Sequence, residues 1–421
     1  MSSHPRKILM SVSVATLLGS AQSAMADTTV RVMRVEISQV EKDYYAEIAR
    51  EFENSHPGVN IELDYLSNEA YKSKLPTLLQ SDQRPDIFYS WGGEALKEKV
   101  EAGFVKDLTA AMQDGWQARF PDSAIDAFTI NGKIYGAPLY VTEVGFWANT
   151  ALTEKAGVDV GAIDTWQDFL DAVTTLKEAD ITPIVVGAKD GWPMQFYWGS
   201  LATRLAGQQG FKAAKAGEGE GFAAPPFVQA GEKLEQLAEL EPFQPGFMAT
   251  TYERASGMFG DGEAAFHLMG DWDYLPSKQR SMSGEGVPDE DLRFISFPSV
   301  EGGQGNEATY GGLNGWAVTR DAPDMAVTFL KSLLSLDNQR EAAKRGIFVP
   351  IVKGAEKALT TPYGRKVAKD IDQASYHQTF LDQDLGVSVG ATVNDISNDL
   401  AQGVTSPEEA AERVEEAWQF R

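Results

Sequence analysis

From Thr28 onward, apolar and polar positions alternate in TTVRVMRVEI, the period-two pattern of a half-buried strand. In the next segment, QVEKDYYAEIAREFE, the period changes. Val40, Tyr44, Ile48 and Phe52 recur every four residues, which predicts a helix that buries one stripe. SHPG reads as a turn and VNIELDY as a second strand. NEAYKSKLPTLLQS has a helical pattern, with Pro76 threatening a kink or an early end. DIFYS then predicts a third strand, and EALKEKVEAG a third helix closed by Gly103. Three strand–helix repeats predict a parallel sheet with right-handed crossovers.

Further along, Asn131-Gly132 is a hairpin signal between FTI and KIYG. The run from Ile134 to Asn149 is long and extended, as suits a strand passing from one domain to another. Thr165 with Asp168 three residues on is a capping signal, and it opens a helix whose apolar face includes Trp166, Phe169, Leu170, Val173 and Leu176. ITPIVVG reads as a strand, residues 207–226 as surface loop, and LRFISFPSVEGG as an extended segment. TYGGLNGWAVTR reads as a glycine-rich stretch leading into a strand, and MAVTFLKSLLSL as an amphipathic helix. SPEEAAERVEEAWQF is a closing helix with Ser406 as its cap and Pro407 at its first position. The second half repeats the layout of the first without repeating its sequence.

This layout singles out the strand ends, because open parallel sheets bind ligands beyond the carboxyl ends of their strands. In PDIFYSWGGE the third strand runs into Trp91 and a glycine pair that lets the backbone turn and approach a ligand. Glu36 follows the first strand. Asp190 and Trp192 follow ITPIVVG, and Asp271 and Trp272 follow FHLMG. With Glu143 and Asn314, these form a recurring set of indoles, carboxylates and amides. Sugars want this mixture: an indole packs on the C–H face of a pyranose, and carboxylates and amides accept and donate to its hydroxyls. Binding of this kind needs no tuned acid–base pair. Taken singly, each residue has an ordinary core or surface reading; the recurrence carries the weight.

Composition narrows the class. At 421 residues the chain exceeds one ordinary core, so two domains are expected. MSSHPRK, the apolar run ILMSVSVATLLGSA and AMA at 24–26 read as a secretory signal peptide at 1–26, with a membrane anchor as the other reading. There are no cysteines, which excludes disulfides, thiolate metal sites, a cysteine nucleophile and a lipidated cysteine, and favours a free periplasmic protein. The formal net charge is −24, and loss of Arg6 and Lys7 with the signal takes it to −26. Such a chain repels nucleic acid and anionic membranes and suits a neutral or cationic ligand.

Tempting motifs fail on context. GVSVG at 386–390 fits a nucleophile elbow, but the preceding LDQD is polar and no histidine follows Ser388. GDGEAA at 260–265 does not separate a strand from a helix as a dinucleotide site requires. The four histidines have no ligand spacing, so neither metal nor cofactor is expected.

The segments REFENSHPGVNIE, RPDIFYSWGGEALKEKVEAG, NGKIYGAPLYVTEVGFWAN, ALTEKAGVD with TWQDFL, ITPIVVGAKDGWP, FGDGEAAFHLMGDW and GGLNGWAV span nearly the whole chain after residue 26. As an ordered set they resemble family 1 extracellular solute-binding proteins of ABC importers, the group that includes maltose-binding protein. The resemblance implies an α/β, two-lobed periplasmic-binding-protein fold of type II, each lobe a mostly parallel sheet flanked by helices, with the ligand cleft between lobes. It implies discontinuous lobes, 27–140 plus 298–348 and 141–297 plus 349–421, with crossovers near Leu139–Gly145, Ile295–Pro298 and Gly346–Val352. By position, Trp272 looks like the family's stacking aromatic, Trp192 sits in a loop that often supplies another, and Glu143 lies at the first hinge. GVSVG stands where another aromatic is common. The expected function is a monomeric periplasmic receptor that passes a neutral di- or oligosaccharide to a membrane permease and performs no chemistry. A polyamine, opine or glycerophosphodiester receptor is the alternative within binding, and a secreted carbohydrate-active enzyme the alternative outside it.

Overall fold

The computed structural model describes residues 28–421. The expected signal peptide and its cleavage site lie outside the described residues.

The first strand, Thr28–Val35, lies between Val59–Leu66 and Ile87–Ser90 and runs parallel to both. Its connecting helices are Gln39–Ser55 and Asn68–Leu78. Ser38 caps the first of these, its side chain accepting from the Glu41 amide. Tyr44, Tyr45, Ile48 and Phe52 are buried on the inner face of that helix, with Val40 at its margin. Pro76 sits inside the second helix, where it has no amide to donate to the carbonyl four residues back, and the helix ends two residues later at Leu78. The Asn131-Gly132 turn closes a short antiparallel hairpin with positive φ at both residues, 51° and 77°.

Two buried apolar cores result. One draws on residues 30–140 and 316–355, the other on residues 141–310 and 343–418. In the second, Phe146 lies 4.2 Å from Phe169 and 5.7 Å from Phe297, centroid to centroid. Trp166 is buried beside the same two phenylalanines, stacked on Phe297 at 5.4 Å. Burying such a ring contributes about 1.5–3 kcal/mol each.

Three stretches of chain join the cores. The strand Ala137–Asn149 is buried along all of its 13 residues. Its first half pairs with Gly311–Trp316, and its second half pairs antiparallel with Phe266–Gly270 and Leu292–Ser296. The strand Ala308–Val318 is the second passage: it runs alongside Tyr376–Thr379 at its start and Ile87–Ser90 at its end. This passage lies further along the chain than Ile295–Pro298, because Leu292–Ser296 pairs only with Gly145–Asn149. The third is marked by Val349–Pro350, which pairs with Val141 and Tyr140.

Two local expectations need correction. ITPIVVG is extended but forms no full ladder. Ile184 makes isolated bridges to Phe243 and Phe266, and the Gln244 side chain bonds both the amide and the carbonyl of Val186 where a strand partner would stand. Residues 207–226 are not a continuous surface loop. The helix Trp192–Lys215 runs on past a break at Gly207 (φ 55°), and a second helix begins at Pro225. At that break the chain needs glycine, since a Cβ would stand 2.9 Å from the Gln304 carbonyl.

Candidate functional site

The two cores face each other across a cleft of about 650 Å³, open solvent included. One wall comes from the first core. Glu36 follows the strand Thr28–Val35, Tyr89 and Trp91 end the strand Ile87–Ser90, and Tyr140 lies on the long shared strand. Trp91 stands edge-on to Tyr89 at 5.0 Å and to Tyr71 at 5.7 Å, so two rings set its plane. The opposite wall is an aromatic cluster: Trp192, Phe196, Tyr252, Trp272 and Phe380. Phe196 stacks on Phe380 at 5.5 Å, and Trp272 meets Phe380 edge-on at 5.8 Å. Trp272 occupies the turn Asp271–Asp273 and remains half-buried. A Cβ at Gly270 would overlap its ring at 1.7 Å, so the GDWD turn requires glycine there.

Polar groups sit among these rings. Asn314 is buried on the strand Ala308–Val318, and its Oδ1 has no partner. Glu36 is paired with Lys42 at 2.7 Å, and Asp382 with Lys72 at 2.9 Å. Glu253 is the lining carboxylate with no basic side chain within ion-pair distance among the described residues.

The expected site residues therefore divide. Glu36, Trp91, Trp192, Trp272 and Asn314 line the cleft together. Asp190 lines an adjoining cavity and accepts a hydrogen bond from the Tyr252 amide at 2.7 Å, fixing a wall residue of the first. Glu143 and Asp271 lie beneath the cleft and do not line it. They touch each other: the Glu143 amide donates to Asp271 Oδ1 at 3.0 Å. Burial, helped by the Asp370 carboxylate, pushes Glu143 up to about 8, and burial pushes Asp271 up to about 7.

Sequence reasoning missed Tyr252, Phe380 and Asp382, which stand on or beside helices with no glycine–indole signature. Tyr89 was legible in principle, two residues before Trp91 on the same strand face. Lys72 had no local signal at all.

Beneath the first wall lies a buried cation. The Arg34 guanidinium pairs with Glu41 and is ringed by Tyr45, Tyr89, Tyr140 and Trp316, 4.9 to 5.7 Å from its carbon. Tyr89 and Tyr140 also join hydroxyl to hydroxyl at 2.7 Å, so this network holds two rings that line the cleft. Among the described residues no cluster of three or more His, Asp or Glu side chains is placed to hold a metal ion, and no helix is long and apolar enough to cross a membrane. Ser388 of GVSVG is an exposed residue in the first turn of the helix Val387–Gln402.

The bacterial extracellular solute-binding protein family matches residues 38–340, most of the chain; of the cleft lining, Glu36, Phe380 and Asp382 lie outside the match. The chain belongs to this family. Family members of known structure share its architecture, the type II periplasmic-binding-protein fold. A protein solved in a study of xylan utilisation by the thermophilic bacterium Caldanaerobius polysaccharolyticus superposes with a TM-score of 0.85 and 26% identity, covering 92% of this chain and 99% of that one. A chitin oligosaccharide binding protein gives 0.84 and 25%, covering 94% and 99%. An uncharacterised extracellular-binding protein of an ABC transporter from Pyrococcus horikoshii is 24% identical over 277 residues, 63% of this chain and 62% of its own. The chain thus spans about three-fifths of the length of that curated relative.

Proposed function

We propose that this family member is the substrate-binding component of an ABC importer, and that it captures a neutral di- or oligosaccharide. The observation that carries the reading is the convergence of rings from two separate cores on one cleft. Trp91 and Tyr89 come from one side and Trp192, Tyr252 and Trp272 from the other, with the Asn314 amide between them. A pyranose offers flat C–H faces to such rings and hydroxyls to an amide whose Oδ1 lacks a partner.

Charge supports a neutral ligand. Among the described residues Lys72 is the basic side chain lining the cleft, and it is already paired with Asp382, so no free cation lines the cleft there for a phosphodiester. Of the three lining carboxylates among the described residues, Glu36 and Asp382 are likewise paired and Glu253 alone is not, which weakens the case for a polyamine. Relatives named for xylan and chitin-oligosaccharide systems point the same way.

In this reading the lobes follow the two cores, residues 30–140 with 316–355 and residues 141–310 with 343–418, and the second joint is carried on the strand Ala308–Val318 rather than near residue 298. They close on the sugar by hinge motion, and the ligand selects the closed form because only there does it touch both walls. The protein is exported by its N-terminal segment, works as a periplasmic monomer and docks on a membrane permease. It performs no chemistry: Glu143 and Asp271, the carboxyls that burial lifts to about 8 and about 7 among the described residues, do not line the cleft. A thermal-shift screen across neutral saccharides, polyamines and glycerophosphodiesters tests this, since a ligand that binds only the folded form raises Tm. A rise with saccharides alone is expected; a rise confined to another class would replace the reading.

A further inference from the structure

Beside the cleft lies a second cavity of about 900 Å³. The two share Lys72, Tyr89, Trp91, Asp382 and Gln383, which form the wall between them. The wall is closed by one ion pair between opposite sides. Lys72 projects from the helix Asn68–Leu78 and Asp382 from the turn Leu381–Asp384, and they meet at 2.9 Å. Gln383 Nε2 donates to the same Asp382 oxygen at 3.0 Å, and the Lys72 ammonium stands 5.5 Å from the Trp91 ring centre.

We propose that the Lys72–Asp382 pair is a partition that splits one long trough into two compartments, and so sets the length of saccharide the protein accepts. The proposal rests on the carbohydrate reading of the cleft. The second compartment has a more aliphatic lining, with Leu75, Pro76, Leu96 and Val387, yet it too sets polar groups beside an indole. Trp91 lines both. Asn394 Oδ1 is buried in the second without a hydrogen-bond partner, as Asn314 Oδ1 is in the first. Asp190 accepts the Tyr252 amide through one oxygen and borders the same space. Acceptors of this kind, beside an indole, suit the hydroxyls of a further sugar unit. A chain long enough to reach them must displace the ion pair. The ammonium and carboxylate then lose each other, and that loss offsets the hydrogen bonds and stacking of the added unit. With the pair intact, added units therefore bring little affinity. With it removed, they enter freely.

The test compares chain lengths within each protein, so that a general loss of binding cancels. Native full-length protein and the double variant Lys72→Met/Asp382→Asn are titrated calorimetrically with xylan- and chitin-derived oligosaccharides from dimer to hexamer. The single variant Lys72→Met replaces the double one if its melting shows misfolding. For the native protein, the Kd of the shortest ligand bound and that of the hexamer should agree within about threefold; in the variant their ratio should grow by at least roughly tenfold, about 1.4 kcal/mol. An equal ratio in both proteins overturns the partition, as does a native protein that already gains tenfold with length. If no oligosaccharide binds either protein, the carbohydrate reading itself falls and the partition with it.

Discussion

Replacing Glu143 with glutamine should flatten the pH dependence of stability. Glu143 is 1% exposed, on the strand that both cores share, and its Oε2 has no hydrogen-bond partner. Burial pushes its carboxyl from an ordinary value near 4.5 up to about 8, with Asp370 and Asp271 adding to the rise and Lys366 and Arg204 opposing it. The sign follows from proton counting. Between pH 4.5 and 8 the unfolded chain has released this proton while the folded one retains it. The native state binds more protons, so stability falls as pH rises through that window. Each pH unit is worth up to about 1.4 kcal/mol, so from pH 5 to pH 7.5 this one group removes about 3 kcal/mol. Glu143→Gln keeps the shape and cannot ionise. Urea unfolding at pH 5 and 7.5 should therefore show the variant losing about 3 kcal/mol less than the native protein across that interval. Asp271, pushed to about 7 by the same burial, leaves a smaller residual slope in the variant. Identical slopes in the two proteins would show that Glu143 ionises in place without penalty, and the reasoning would fail.

Other changes test the walls and the cores. Trp272→Ala should weaken saccharide binding by about 1–3 kcal/mol through lost stacking and burial, read by calorimetric titration. Glu41→Gln leaves the Arg34 guanidinium buried among four rings without its counter-charge and should cost about 3–5 kcal/mol in urea unfolding. Thr165→Ala removes a cap in which Thr165 Oγ1 accepts from the Asp168 amide at 3.2 Å and Asp168 Oδ2 accepts from the Thr165 amide at 2.8 Å. A loss of about 1 kcal/mol should appear as a lower melting temperature.

The strand–helix alternation of residues 28–101 could be read from the chain because each element there is decided by its own residues: apolar strand runs, a helical stripe at every fourth position, then a cap or a glycine. The strand Thr28–Val35 is, however, buried on both faces over its last four residues and not half-buried, because Arg34 turns into the core. The Asn131-Gly132 hairpin and the Thr165 cap are local in the same sense. ITPIVVG misled because its hydrogen-bond partners are supplied from a distance, by the Gln244 side chain and the Pro242 carbonyl. Residues 207–215 misled because their glycine, alanine and charged residues read as loop. There the helix breaks to admit the Gln304 loop and then resumes.

At the site, the indoles were visible because a glycine-rich strand end announces them. Tyr252, Phe380 and Asp382 were not, since only tertiary packing turns their faces toward the cleft. Glu143 and Asp271 show the opposite failure. A carboxylate next to a strand end looks like a ligand group, but whether it faces the gap or the interior depends on which side of the strand the neighbouring sheet covers.

The most direct measurement is a calorimetric titration of the full chain with neutral saccharides, with chromatography of the mixture afterwards. The account predicts saturable one-to-one binding of at least one saccharide and an unaltered sugar recovered at the end. Absence of saturable heat with every saccharide while a polyamine or phosphodiester binds, or shortened sugars in the recovered mixture, would contradict it.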